Sequence, residues 1–152
     1  VALRSAAIDL PAGLEHDRDG LLDLGLSTVV TAGFADDRIT FMRDFPASQA
    51  ALARVSGAVA ARFEAFWGGL ELANGFHELG DRDEQERRFQ ADATVRRARG
   101  QPAREADADF LDALGNGLPP CSGVALGFDR VAMIAAGARH IDDVIAFPIE
   151  RA

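Results

Sequence analysis

The chain has no lysine, no tyrosine and a single cysteine, Cys121, among 152 residues. One thiol excludes an internal disulfide framework and suits a reducing compartment, so a cytoplasmic setting is expected. All 16 basic residues are arginines, set against 24 acidic ones, for a formal net charge of −8. A surface so short of cations is a poor nonspecific partner for nucleic acid, whose phosphates must be neutralised on binding. The absence of lysine also excludes a Gly-x-x-x-x-Gly-Lys phosphate loop. No apolar run approaches the ~18–20 residues of a membrane span, and no membrane partner is expected. The start, VALRSAAIDLPAG, shows neither a signal-peptide core nor an initiator methionine, as expected of a piece cut from a longer protein. What is present, 48% hydrophobic and 26% charged residues, is enough for a packed core, and a single domain over residues 1–152 is expected.

Residues 1–14, with Pro11 and Gly13, read as strand or loop. Leucines at helical spacing predict a helix from about Asp17 to Val30 that stops near Gly33. The stretch DDRITFMRDFP predicts a strand ending at Pro46. Two period-2 runs, one through Phe63 and Trp67 and one through Leu70 and Leu72, flank Gly68–Gly69 and predict a hairpin. Asp81 with Glu84 three residues later starts a charged helix that closes at Gly100. A short helix follows within 106–117, then a strand over 123–128, a helix over about 130–138 and a short segment at 144–148. Strands joined by a hairpin, with helices between, indicate an α+β fold built on an antiparallel sheet flanked by helices.

Two stretches carry chemistry. In ELANGFHE, residues 71–78, strict alternation puts Glu71 on a face with Ala73 and Gly75 and excludes Asn74 from it. Glu78 lies just beyond. Two such carboxylates can flank a Mg²⁺–phosphate cluster or hold an ammonium group, but from chemistry alone two surface glutamates on an exposed face is the favoured reading. In SGVALGFDRVAMIAAGA, Gly123 and Gly127 flank only the small Ala125, which lets a ligand lie flat on one face. Arg130 follows at the strand-to-helix junction. It either meets a phosphate or a base, or forms a salt bridge to Asp129 or a glutamate that pins the junction. His77 has no second histidine beside it and reads as a structural or surface residue, and His16 and His140 show no constellation. Cys121, after Pro119–Pro120, reads as an inert packing thiol.

The sequences GLELANGFHELGDRDEQERRF and GLPPCSGVALGFDRVAMIAAGARHIDDVIAFP together resemble the C-terminal half of a class II lysyl-tRNA synthetase core. Ala125-Leu126-Gly127-Phe128-Asp129-Arg130 is similar to that family's motif 3. FPASQAALARV, NGFHEL, PPCSGVALGFDR and the ending AFPIERA resemble more narrowly the EpmA (PoxA, GenX) family of paralogues, the elongation factor P (R)-β-lysine ligases. The likeness is strong over 41–152 and weak over 1–40.

This resemblance implies ATP and Mg²⁺ as cofactors. It implies ATP contacts at Glu71, Leu72, Gly127 and Arg130, a catalytic role for Arg130, substrate contacts at Glu78, Asn74 and Ala125, and metal contacts at Glu71 and Glu78. Implied partners are elongation factor P and β-lysine or lysine; tRNA is not expected, and the full-length protein is expected to be a homodimer. Alternatives are a fragment of a lysyl-tRNA synthetase and a non-catalytic synthetase-like binding module. Lysyl-tRNA synthetases usually carry glycine where Ala125 stands and asparagine where Gly80 stands. Motifs 1 and 2 are missing from these residues, so the isolated chain is expected to be inactive. The sheet partners missing with them leave an exposed apolar surface that favours self-association.

Overall fold

A computed structural model of the chain describes residues 8–11 and 13–149. The reading of residues 1–14 as strand or loop, and the ending AFPIERA, therefore lie partly outside the described residues. The first helix, α1 (Arg18–Gly25), starts where the Asp17 carboxylate accepts the Gly20 N–H at 3.0 Å. It then loosens into a π turn (Leu26–Val30) and a 3₁₀ turn (Thr31–Gly33), so the helical run does reach Gly33. Hydroxyls explain the change. Ser27 and Thr28 donate to the Leu24 carbonyl and Thr31 to that of Ser27, drawing on carbonyls the α ladder would use.

Five antiparallel strands follow: β1 (Ile39–Pro46), β2 (Val55–Ser56), β3 (Val59–Trp67), β4 (Leu70–His77) and β5 (Ser122–Leu126). The order across the sheet is β1-β3-β4-β5, with β2 also pairing β3. The expected hairpin is β3–β4, turning at Gly68 with φ 54°. The short β2 was not expected; Gly57, at φ 61°, lets the chain reverse there. Helix α2 (Arg82–Ala98) is capped by Asp81 as the sequence indicates, although it buries Gln85 almost completely. Helix α3 (Ala108–Gly115) follows, then β5 and α4 (Phe128–Ala136). Both of these last elements start earlier than expected: β5 ends at Leu126 and α4 begins at Phe128, which leaves Gly127 as the junction rather than a strand residue.

The architecture is α+β, an antiparallel sheet with flanking helices. Phe45, Ala50, Ala53 and Ala60 form a buried cluster, and Leu26, Met42 and Phe76 pack against it. On the opposite sheet face Ile39, Phe41, Val124 and Leu126 remain more than half exposed. No helix of the described residues is long and apolar enough to cross a membrane.

Candidate active site

The register of β4 decides which side chains meet. Ala65 lies opposite Ala73, but Phe66 lies opposite Glu71, so Leu72 is an extra, bulged residue. The bulge reverses the alternation on one side of it. Residues paired directly across strands share a face, and Glu71 thereby joins Phe66 and Thr40. The next row on that face is Met42, Glu64, Asn74 and Ala125, and the one after it Arg62, Phe76 and Gly123. Glu71 and Asn74 therefore share a face, while Ala73 and Gly75 lie on the other, a correction to strict alternation.

The bulge also frees two carbonyls, and both are taken up from the motif at residues 125–130. The Gly127 N–H donates to Leu72 O at 2.8 Å, and the Arg130 Nη1 donates to Glu71 O at 2.6 Å. The Arg130 guanidinium stands 3.9 Å from the Glu71 carboxylate, and the two side chains stay 43% and 41% exposed, within reach of a ligand. Asp129 is not its partner. A Cβ on Gly127 would sit 3.2 Å from the Arg130 Cδ, so the bare glycine gives the arginine its path across the strand end.

Glu78 is held by its backbone. Its N–H donates to Cys121 O at 3.0 Å, its carbonyl accepts from Arg54 Nε at 2.8 Å, and Leu79 N–H bonds Leu52 O at 2.9 Å. The Glu78 carboxylate lies where a Cβ on Gly123 would be, so a side chain at 123 would push that carboxylate from its place. Glu71 and Glu78 are three rows apart on β4 and its extension, roughly 20 Å of strand at two residues per row. Gly123, Ala125 and Gly127 give a floor of small residues about 13 Å long between the Glu78 end and the Arg130 end. Among the described residues no three His, Cys, Asp or Glu side chains gather as a metal cluster. His77 is exposed at the end of β4, and Cys121 is a half-buried free thiol.

Arg62 and Glu64 were not singled out from sequence. They form a salt bridge with side chains only 17% and 10% exposed. Arg62 also donates through Nε to Asn74 Oδ1 at 3.3 Å and through Nη1 to Gln49 O at 2.9 Å, and stacks 4.4 Å from the Phe45 ring centroid. Burial pushes the Glu64 carboxyl above its usual range; Arg62 opposes this, while Glu71 and Asp23 add to it. The available signal was the triplet Arg-Phe-Glu on a predicted strand, which places two opposite charges on one face.

A family model described as tRNA synthetases class II (D, K and N) matches residues 26–151. The chain is 51% identical over 152 residues to a protein of Salmonella gallinarum named elongation factor P–(R)-β-lysine ligase, covering 97% of this chain and 47% of that protein. It is 50% identical over 157 residues to proteins of the same name from Salmonella dublin and Salmonella agona, covering 99% of this chain and 48% of each. The chain thus spans about half the length of these curated relatives.

Proposed function

The chain belongs to the class II tRNA synthetase family (D, K and N), and on that premise we propose that it forms part of an ATP-dependent ligase. The ligase activates (R)-β-lysine, or lysine, as an adenylate and passes the acyl group to a lysine side chain of elongation factor P. The names of relatives about 50% identical support this reading. The observation that carries it is the bulge at Leu72, which turns Glu71 to the face that holds Asn74, Ala125 and, farther along, Glu78, with Arg130 at its edge.

In the first step a carboxylate oxygen of the amino acid attacks the α-phosphorus of ATP, the bond to the β-phosphate oxygen breaks, and pyrophosphate leaves. In the second, the acceptor amine attacks the acyl carbon, loses a proton, and AMP departs. The protein positions the reactants and neutralises phosphate charge. The adenosine lies over Gly127, bordered by the Leu72 backbone. Arg130 exchanges its contact with the Glu71 carbonyl for the nucleotide, either the γ-phosphate or the adenine face. Glu71, an exposed hard-oxygen donor, suits Mg²⁺, which is commonly held by one or two carboxylates together with substrate phosphates. When bound, the ion supplies charge neutralisation at the phosphates. Glu78, at the far end of the floor, takes the substrate amino group; three rows from Glu71, it does not share that carboxylate's metal. The Ala125 methyl narrows the amino-acid end relative to glycine. A homodimer is the proposed state of the full-length enzyme, and tRNA is not its acceptor.

The test uses full-length enzyme carrying this chain, with ATP, (R)-β-lysine and either elongation factor P or tRNA. Acyl transfer to the factor is expected; acylation of tRNA and not the factor would overturn the reading. Arg130→Ala should lower amino-acid-dependent pyrophosphate exchange at least about 100-fold, the scale of losing one charge-stabilising donor. Unchanged exchange would leave Arg130 with only the junction to pin.

A further inference from the structure

Arg62 lies on the same sheet face as the proposed substrate contacts, one row from Asn74. A guanidinium has five N–H donors and no acceptor, so whichever Asn74 amide atom faces it must be the oxygen. That is the arrangement seen, with Arg62 Nε donating to Asn74 Oδ1. The amide nitrogen is thereby turned away from Arg62, and it meets no acceptor among the described residues. Among the described residues no buried polar side-chain atom lacks a hydrogen-bond partner, so this nitrogen is open to solvent. Arg62 cannot easily swing aside. Its two other donor groups are fixed by Glu64 and by the Gln49 carbonyl, and its plane rests on the Phe45 ring.

We propose that Arg62 is a positioning residue that fixes the Asn74 side-chain amide with its nitrogen toward the substrate, so that the substrate atom read at this position is a hydrogen-bond acceptor, a carboxylate or carbonyl oxygen. The proposal rests on the functional reading above and deepens it. An asparagine alone presents either a donor or an acceptor, and an ammonium group would favour the acceptor. With the oxygen turned to Arg62, the group that Asn74 leaves facing the site is its NH2, which pairs with an oxygen and not with an ammonium. Glu64 belongs to the same device: it offsets the buried guanidinium charge, so that the site gains a fixed donor without gaining a net cation.

The experiment is a double-mutant cycle in full-length enzyme, reading the KM values for (R)-β-lysine and for ATP in pyrophosphate exchange. Arg62→Gln can accept as well as donate and so releases the amide to flip. It should raise the amino-acid KM about tenfold, the worth of roughly one hydrogen bond, with the ATP KM changed less than about twofold. In an Asn74→Ala background the same change should add nothing to the amino-acid KM, since no amide remains to orient. Equal increases in both backgrounds, or KM values that rise together for both substrates, would show Arg62 to be merely structural and overturn the proposal. If Arg62→Gln does not fold, the pair Arg62→Gln/Glu64→Gln removes both charges, and the same cycle is run on it. Absence of exchange in the unaltered enzyme would instead refute the functional reading as a whole.

Discussion

Glu64 and Glu84 are each paired with arginine, yet their carboxyls move in opposite directions. Burial raises that of Glu64 more than Arg62 lowers it. Glu84, on the solvated face of α2, is held below its ordinary value by hydrogen bonds from Arg87 at 2.7 Å and Arg88 at 3.0 Å. A lowered pKa gives stability that is present above the unfolded value of 4.5 and lost as pH falls through the folded value. A raised one gives stability that is present below 4.5 and lost as pH rises through the folded value. Unfolding measured from about pH 3.5 to pH 8 should therefore separate the two. The advantage of the parent over Glu84→Gln should grow with rising pH and stay under about 1 kcal/mol, as for exposed pairs. Its advantage over Glu64→Gln should shrink with rising pH. Parallel curves would mean that burial does not govern Glu64. The Glu84 pairs were legible in the sequence, because spacings of three and four on a predicted helix make neighbours. The Arg62–Glu64 pair was not, because its burial depends on what packs over the strand.

At the scale of elements, β4 is held on both sides and tolerates little change. A Cβ on Gly75 would overlap the Phe63 ring of β3 and lie 3.0 Å from the Gly123 carbonyl of β5. Gly75→Ala should therefore cost about 1–3 kcal/mol, the range for overpacking. Gly33→Ala, where a Cβ meets nothing, should leave stability within about 0.5 kcal/mol. Urea unfolding of both variants checks this, and equal stabilities would remove the close packing of β3, β4 and β5 as a constraint. The hairpin, the Asp81 cap and the stop at Pro46 were all readable, because each is fixed by the local chemistry of a few residues. The bulge was not. Nothing in GLELANG marks Leu72 as the extra residue; the break follows from how β4 must match β3 across the turn.

At the scale of the whole chain, one sheet face leaves Ile39, Phe41, Val124 and Leu126 more than half exposed. Apolar area of this kind is a site of association. Sedimentation of the 152-residue chain should show self-association that grows with concentration and survives about 0.5 M salt, which screens charge but not apolar contact. Phe41→Arg with Leu126→Arg should reduce it. A monomer at all concentrations, or association abolished by salt, would count against the apolar face as its cause.

The sequence by itself determined the α+β class, most of the elements, and the residue types at 71, 74, 78, 125, 127 and 130. Periodicity, caps and turn glycines act over short stretches of chain, and those signals are written in consecutive residues. Only the tertiary structure decided that Glu71 shares a face with Asn74, that Arg130 rests on the Glu71 carbonyl, and that Arg62 holds the Asn74 amide. Each of these depends on strand register and on partners 12 to 59 residues away. One bulged residue sets that register, and local propensity does not specify where it falls.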